Sequence, residues 1–341
     1  MTDWAQVRAH LRTNRYDLAV QAADEFPTVP KLAGTPLLTD PSWVPNSPIP
    51  LADLTITMAS TPRVHLPQAS GYPDFPSYSA AMATLDRPTV FENRPTWRLL
   101  EANLTTRKLT FGNGTYFDSI DTGEAAAHEY AAQGPTPLRD AIGNPCDLSK
   151  RPANLAISTL TIRKDPTTGD DFLLHWRDPA KVGHAGGLYQ VVPVGVFQTS
   201  GPNDFDLWHF MLREYAEELL GEPEVEAPDY TTWPFAMAMT NNPGIKAHVL
   251  GLGVDPLTFA TDLLVQVTID APVFDEIFGN RVAINDEGSV TTRPFTMESI
   301  EDLPMQAAGA AAVRLALAHR DSRKTGPSKQ DEPDSPRQPH L

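Results

Sequence analysis

The stretch richest in reactive side chains is Arg213-Glu214-Tyr215-Ala216-Glu217-Glu218, an arginine and three glutamates in one short run. It lies inside FDLWHFMLREYAEELLGE, residues 205–222, where Trp208, Met211, Leu212, Tyr215 and Leu219 recur at helical spacing. That pattern predicts one amphipathic helix with those residues as its buried stripe. Glu214, Glu217 and Glu218 then stand at i, i+3 and i+4, and at 3.6 residues per turn they project within about a third of the circumference. Like charges at this spacing repel. A cation that prefers hard oxygen ligands, Mg²⁺ or Mn²⁺, would relieve the repulsion. An acidic outer face that is merely solvated has the same composition, so the helix alone leaves both readings open.

The order of the run carries a resemblance. Arg213 to Leu219 is similar to the second half of the Nudix box, G-x5-E-x7-R-E-U-x-E-E-x-G-U, with U a bulky apolar residue. The first half departs from it: Thr199 stands where the box has glycine and Phe205 where it has glutamate. Leu220 takes the place of the final glycine, and Gly221 follows. The resemblance implies an α+β fold, a mixed sheet sandwiched by helices. It also implies a Mg²⁺- or Mn²⁺-dependent hydrolase of a nucleoside-diphosphate-linked or similar pyrophosphate substrate. Glu214 and Glu218 would hold the metal, with Glu217 as third ligand or base, and Arg213 would pair with a helix carboxylate. Asp204 or Asp206 would replace the missing box glutamate, and Glu287 would supply a further acid from a late loop. His175, Arg177, Lys181 and His184, just before Pro193-Val194-Gly195, are the candidates for substrate contact. Without a family in mind, Asp286-Glu287-Gly288 reads equally well as a turn.

Composition bounds the alternatives. The chain has 341 residues, 41% of them apolar, enough for one large or two modest domains. A net charge of −16 disfavours nucleic acid as a partner of the whole chain, while a local pocket for a phosphorylated small molecule remains compatible with it. One cysteine, Cys146, excludes an intrachain disulfide and a cysteine-based zinc site. No window approaches the ~20 apolar residues of a membrane span, and the N-terminus has no apolar core of signal length. The expectation is a soluble, cytoplasmic protein, with a homodimer left open.

Stepping outward from the acidic helix, the preceding segment must supply its platform. Residues 155–177 read as a strand, a turn over Asp165 to Asp170, and a returning strand. A Gly-rich loop, a buried run from Tyr189 to Val192 and a turn at Pro193-x-Gly195 lead into the helix, with Asn203 or Asp204 as N-cap and Gly221 as stop. Two strands, Ala247–Leu252 and Leu263–Ile269, follow, bent apart at Gly251, Gly253 and Pro256, and an Ala-rich helix closes the segment. This part, residues 151–320, is the expected Nudix-like domain. Residues 51–150 form an α+β extension with a hairpin, a break at Gly112-Asn113-Gly114, and a helix carrying His128 and Glu129, more often structural than functional there. Residues 1–50 combine a helix, divided near RTNRYD, with a proline-rich segment. Arg8, Arg12 and Arg15 allow a helix-turn-helix reading, but the segment is too short for the full motif. A polar, proline-rich tail is expected over 321–341.

A second function class fits the same residues. A Nudix-like module with a degenerate box would bind a ligand without hydrolysing it, and the altered first half of the box favours that reading. The intact R-E-x-x-E-E favours the enzyme. A third, a purely structural or interaction protein, draws on the proline-rich front and tail.

Overall fold

The computed structural model describes residues 4–71, 74–88, 91–178, 187–201, 204–279, 281, 283–284 and 288–324. In chain order the elements are α1 (Trp4–Thr13), α2 (Arg15–Ala22), β1 (Ile49–Pro50), β2 (Thr55–Met58), α3 (Tyr78–Leu85), β3 (Pro95–Asn103) and β4 (Lys108–Thr115). Helices α4 (Tyr116–Ser119), α5 (Ala125–Ala131) and α6 (Pro137–Ile142) follow, then β5 (Leu155–Lys164), β6 (Asp171–Arg177), β7 (Tyr189–Val191) and β8 (Val194–Val196). The last group is α7 (Leu207–Leu220), α8 (Pro234–Asn241), β9 (Ile245–Val254), β10 (Thr261–Asp270), α9 (Ala271–Phe278), β11 (Gly288–Pro294) and α10 (Ala307–Lys324).

The main sheet runs β1-β9-β10-β5-β6-β11, with β7 on β6 and β8 on β5. It is mixed, because β10 and β5 are parallel while the neighbouring pairs are antiparallel. Alternation along the strands divides the core between the two faces. Leu263, Val265, Val267 and Ile269 pack with Leu212, Tyr215 and Leu219 of α7. Leu160, Ile162 and Leu264 pack with Ala308, Ala311, Ala312 and Val313 of α10. The small residues of α10 let that helix lie close: a Cβ on Gly309 would come 3.1 Å from the Val191 amide nitrogen. This is the mixed sheet between helices expected from the sequence.

One irregularity shapes the middle of the sheet. β5 and β6 pair only at Ile162↔Phe172 and Arg163↔Asp171. Beyond that they splay, and residues 189–196 wedge between them, β7 zipping onto β6 and β8 onto β5. Thr159 N–H donates to the Pro193 carbonyl at 2.9 Å and Thr161 Oγ1 to the Val192 carbonyl at 2.7 Å, which fixes the wedge. The expected turn at Pro193-x-Gly195 is thus confined to a bend at Val192-Pro193, and Val194 and Gly195 already belong to β8.

A second sheet, β2-β4-β3, leans on the first. Trp97 N–H donates to the Phe197 carbonyl at 3.0 Å and Leu99 N–H to the Ala153 carbonyl at 2.8 Å. Trp97, Phe111, Phe197 and Phe205 form one aromatic cluster at that junction. The expected break at Gly112-Asn113-Gly114 is not there. These residues continue β4, opposite Arg98, Trp97 and Thr96. Glycine is needed for a different reason: a Cβ on Gly112 would collide with the Thr61 hydroxyl, and one on Gly114 would crowd Asn154.

The N-terminal helices divide at Asn14, and their arginines do not present a nucleic-acid-binding face. Arg8 and Arg15 are buried against Glu124, at 2.6 and 3.0 Å, while Arg12 pairs with Asp86. Glu129 accepts the amides of Ser70, Leu138 and Arg139, and His128 meets the Tyr78 hydroxyl at 3.1 Å. Both are fully enclosed, so their part is architectural. α10 continues to Lys324, beyond the residue at which the tail was expected to begin. No helix among the described residues is long and apolar enough to cross a membrane.

Candidate functional site

α7 is held at both ends by the residues its sequence supplies. Asp206, not Asn203 or Asp204, is the N-cap, its carboxylate accepting the His209 amide at 2.9 Å. Gly221 ends the helix in the left-handed conformation, φ 68°, and the Glu222 amide reaches back to the Ala216 carbonyl. Between the caps, Tyr215 anchors the helix to the sheet: its hydroxyl lies 2.7 Å from Thr161 Oγ1. Burial holds that phenol above its ordinary pKa, so it serves as a neutral hydrogen-bonding group. Trp208, expected in the buried stripe, is half-buried instead and donates to Thr240.

This anchoring lays one row of the helix along β8. Glu218 is buried, and its Oε1 accepts the Val194 amide at 2.8 Å. Its Oε2 is 3.7 Å from Nδ1 of His175, which rises from β6 and is wholly enclosed. Glu214, one turn earlier, lies directly over Gly195, where any Cβ would run into its carboxylate. Gly195 therefore acts as a slot that lets the Glu214 carboxylate down onto the strand. Glu217 is exposed. Two of the three expected glutamates, with His175, thus converge on the wedge between β5 and β6. A rim of β11 completes this corner, Gly288 pairing with Arg177 and Val290 with His175.

Arg213 faces another way. It donates to the Asp204 carboxylate, to Ser200 Oγ at 2.7 Å and to the Gln198 carbonyl at 2.9 Å. Tyr230 also donates to Asp204, at 2.9 Å, and stacks on His209 with ring centroids 3.7 Å apart. Burial, opposed in part by Arg213, raises the Tyr230 phenol. The expectation that Arg213 pairs with a helix carboxylate is corrected here: its partner is Asp204 in the preceding loop. A guanidinium on the helix flank reaches that loop, whereas Glu214 and Glu218 lie on the strand side.

Of the expected substrate contacts, His175 reaches Glu218 within the core and Arg177 sits half-buried at the end of β6. Lys181, His184 and Glu287 lie outside the described residues. Among the described residues no cluster of three or more His, Cys, Asp or Glu is arranged to hold a metal. A groove of about 410 Å³ lies elsewhere, lined by Tyr16, Lys31, Glu301 and Arg314 between α2 and α10. A further buried acid had no motif to announce it. Asp262 of β10 accepts from Ser158 Oγ at 2.8 Å on the α10 face, and burial pushes its carboxyl up to about 6.

No family model matches the chain, and no curated protein matches it. Among solved structures it is similar to a Nudix hydrolase from M. smegmatis, RenU, at 16% identity over 52% of this chain and 90% of that one, with a TM-score of 0.30. The NUDIX domain of Shewanella oneidensis NrtR, solved with ADP ribose, matches at 12% identity over 50% and 90%, with a TM-score of 0.34. The C-terminal domain of mouse MUTYH, solved with human PCNA, matches at 14% over 49% and 90%, with a TM-score of 0.30. Superpositions this loose assign neither a family nor the role of any residue.

Proposed function

We infer that the corner formed by α7, β6 and β8 is the active site of a Nudix-like, divalent-metal-dependent hydrolase of a nucleoside-diphosphate-linked or similar pyrophosphate substrate. The observation that carries this reading is the convergence of Glu214 and Glu218 on the Val194-Gly195 strand. Two carboxylates side by side are mutually repulsive. They are also the number of protein ligands that Mg²⁺ commonly takes when substrate phosphates complete its shell. Glu214 and Glu218 would hold that ion, and Glu217, on the exposed side, would act as third ligand or base. A bound Mg²⁺ or Mn²⁺ supplies charge neutralisation of the diphosphate and activation of water at neutral pH.

The chain's own residues contribute placement. The Val194 amide fixes the rotamer of Glu218, whose other oxygen lies 3.7 Å from the His175 ring. Gly195 gives Glu214 its seat. Asp204 stands in for the missing box glutamate: its pairing with Arg213, charge-assisted and supported by Ser200 and Tyr230, fastens the loop before the helix. Arg177, Lys181 and His184 are the candidates for contact with the rest of the substrate, and Glu287 would supply a further acid.

The test is Mg²⁺-dependent product release over a panel of nucleoside diphosphate derivatives, ADP-ribose included, by wild type and by Glu214→Gln and Glu218→Gln. Metal-dependent turnover that falls in both variants is expected. Absence of turnover together with thermal stabilisation by one panel member would replace the hydrolase with a ligand-binding module.

A further inference from the structure

β7 places one more polar side chain in the wedge. Gln190 is the cross-strand partner of His175, and directly opposed residues of an antiparallel pair project to the same face. The residues that follow fix that face independently. Val191 packs in the core on the α10 side and Val192 in the core on the α7 side, so Gln190, alternating with Val191, points toward α7. Gly309 of α10 presses on the opposite side, where an added Cβ would lie 3.4 Å from the Gln190 Cα. The amide is therefore beside His175, whose ring meets Glu218.

Gln190 is 2% exposed, and its Nε2 has no hydrogen-bond partner among the described residues. A buried amide donor left unpaired is costly, and native folds leave few of them. The site around it explains the cost if a ligand brings the acceptor. Ionised carboxylates only accept, and a carboxamide nitrogen only donates, so Nε2 cannot ligate a cation held by Glu214 and Glu218. What it can complement is an anionic oxygen brought in beside that cation. Resting on the hydrolase reading, we propose that Gln190 is a ligand-binding residue whose Nε2 donates to a non-bridging phosphate oxygen of the diphosphate.

Gln190→Met removes the donor at nearly constant volume. Two titrations of the full chain separate its effects: Mn²⁺ alone, and the methylene-bridged analogue of ADP at saturating Mn²⁺. The expected result is unchanged Mn²⁺ affinity, an apo melting temperature at or above wild type, and about tenfold weaker binding of the analogue, the scale of one hydrogen bond to a charged group. Unchanged analogue affinity overturns the assignment of Gln190 while leaving the hydrolase reading in place. Equal losses of Mn²⁺ and analogue, or a lowered apo melting temperature, also overturn it, because they mark a packing role. A wild-type chain that binds neither probe withdraws the hydrolase reading and this assignment with it.

Discussion

Glu124 and Glu218 are buried to nearly the same degree, 5% and 7% exposed, in opposite kinds of company. Glu124 is clamped by two guanidiniums, Arg8 and Arg15, that reach it from the first two helices. Glu218 accepts a strand amide, lies 3.7 Å from an imidazole nitrogen, and shares its helix row with Glu214. The arginine nearest in sequence, Arg213, is committed to Asp204 on the other flank. In the first region cations supplied by the fold answer the acid, which is how a chain fastens one segment to another. In the second the fold gathers acids against a strand edge and seats one of them, Glu214, over a glycine, the arrangement proposed above to receive a cation from outside.

The largest effect should come from breaking the first arrangement. Glu124→Ala leaves two arginines buried without their carboxylate, and equilibrium unfolding in urea should report a loss of about 3–5 kcal/mol. Mn²⁺ binding by the folded variant should be unchanged, since the clamp is remote from α7. Asp262 is an intermediate case, a buried acid whose carboxylate accepts a bond from one hydroxyl. Its carboxyl is raised from 3.8 to about 6 by burial, so the native state keeps a proton that the unfolded chain has already released. The penalty for ionising it grows as pH rises through that window and is absent below it. Asp262→Asn should therefore stabilise the protein by up to roughly 3 kcal/mol near neutral pH, and by nearly nothing at about pH 3, below the unfolded-state value, as read from paired urea melts.

Gly195→Ala tests the seat of Glu214. Its methyl group meets the carboxylate, so a stability cost of about 1–3 kcal/mol is expected, with weakened Mn²⁺ binding by calorimetry. A variant that binds Mn²⁺ as wild type would show that Glu214 needs no such seat. The smallest effect belongs to Glu217→Gln. An exposed helix position should change stability by no more than about 0.5 kcal/mol, and Mn²⁺ binding by less than either neighbour does.

The chain order of the elements around α7 was readable because strands of alternating or continuous apolar residues and a capped amphipathic helix leave strong local patterns. β5, β6, β10 and α7 lie where the pattern puts them, and so does β9, except that it runs on through Gly251 and Gly253, the expected bend, to Val254. What was not readable depends on close approach between distant segments. Gly112 and Gly114 look like a break by composition and are strand residues pressed by Thr61 and Asn154. Arg213 faces Asp204 because of how the loop folds back, which the six-residue motif around it does not encode. Asp262 and Gln190 carry no motif; a polar residue interrupting an apolar strand is the one signal that could have drawn attention to them.

The proposed hydrolase depends above all on Glu214 and Glu218 holding a divalent cation together. A Mn²⁺ titration followed by electron paramagnetic resonance, on wild type beside Glu214→Gln and Glu218→Gln, addresses it with no assumption about substrate. A saturable site in wild type that weakens at least about tenfold in each variant, while both variants remain folded, is expected. Mn²⁺ affinity equal in all three proteins would contradict it and leave the acidic row of α7 as a solvated helix face.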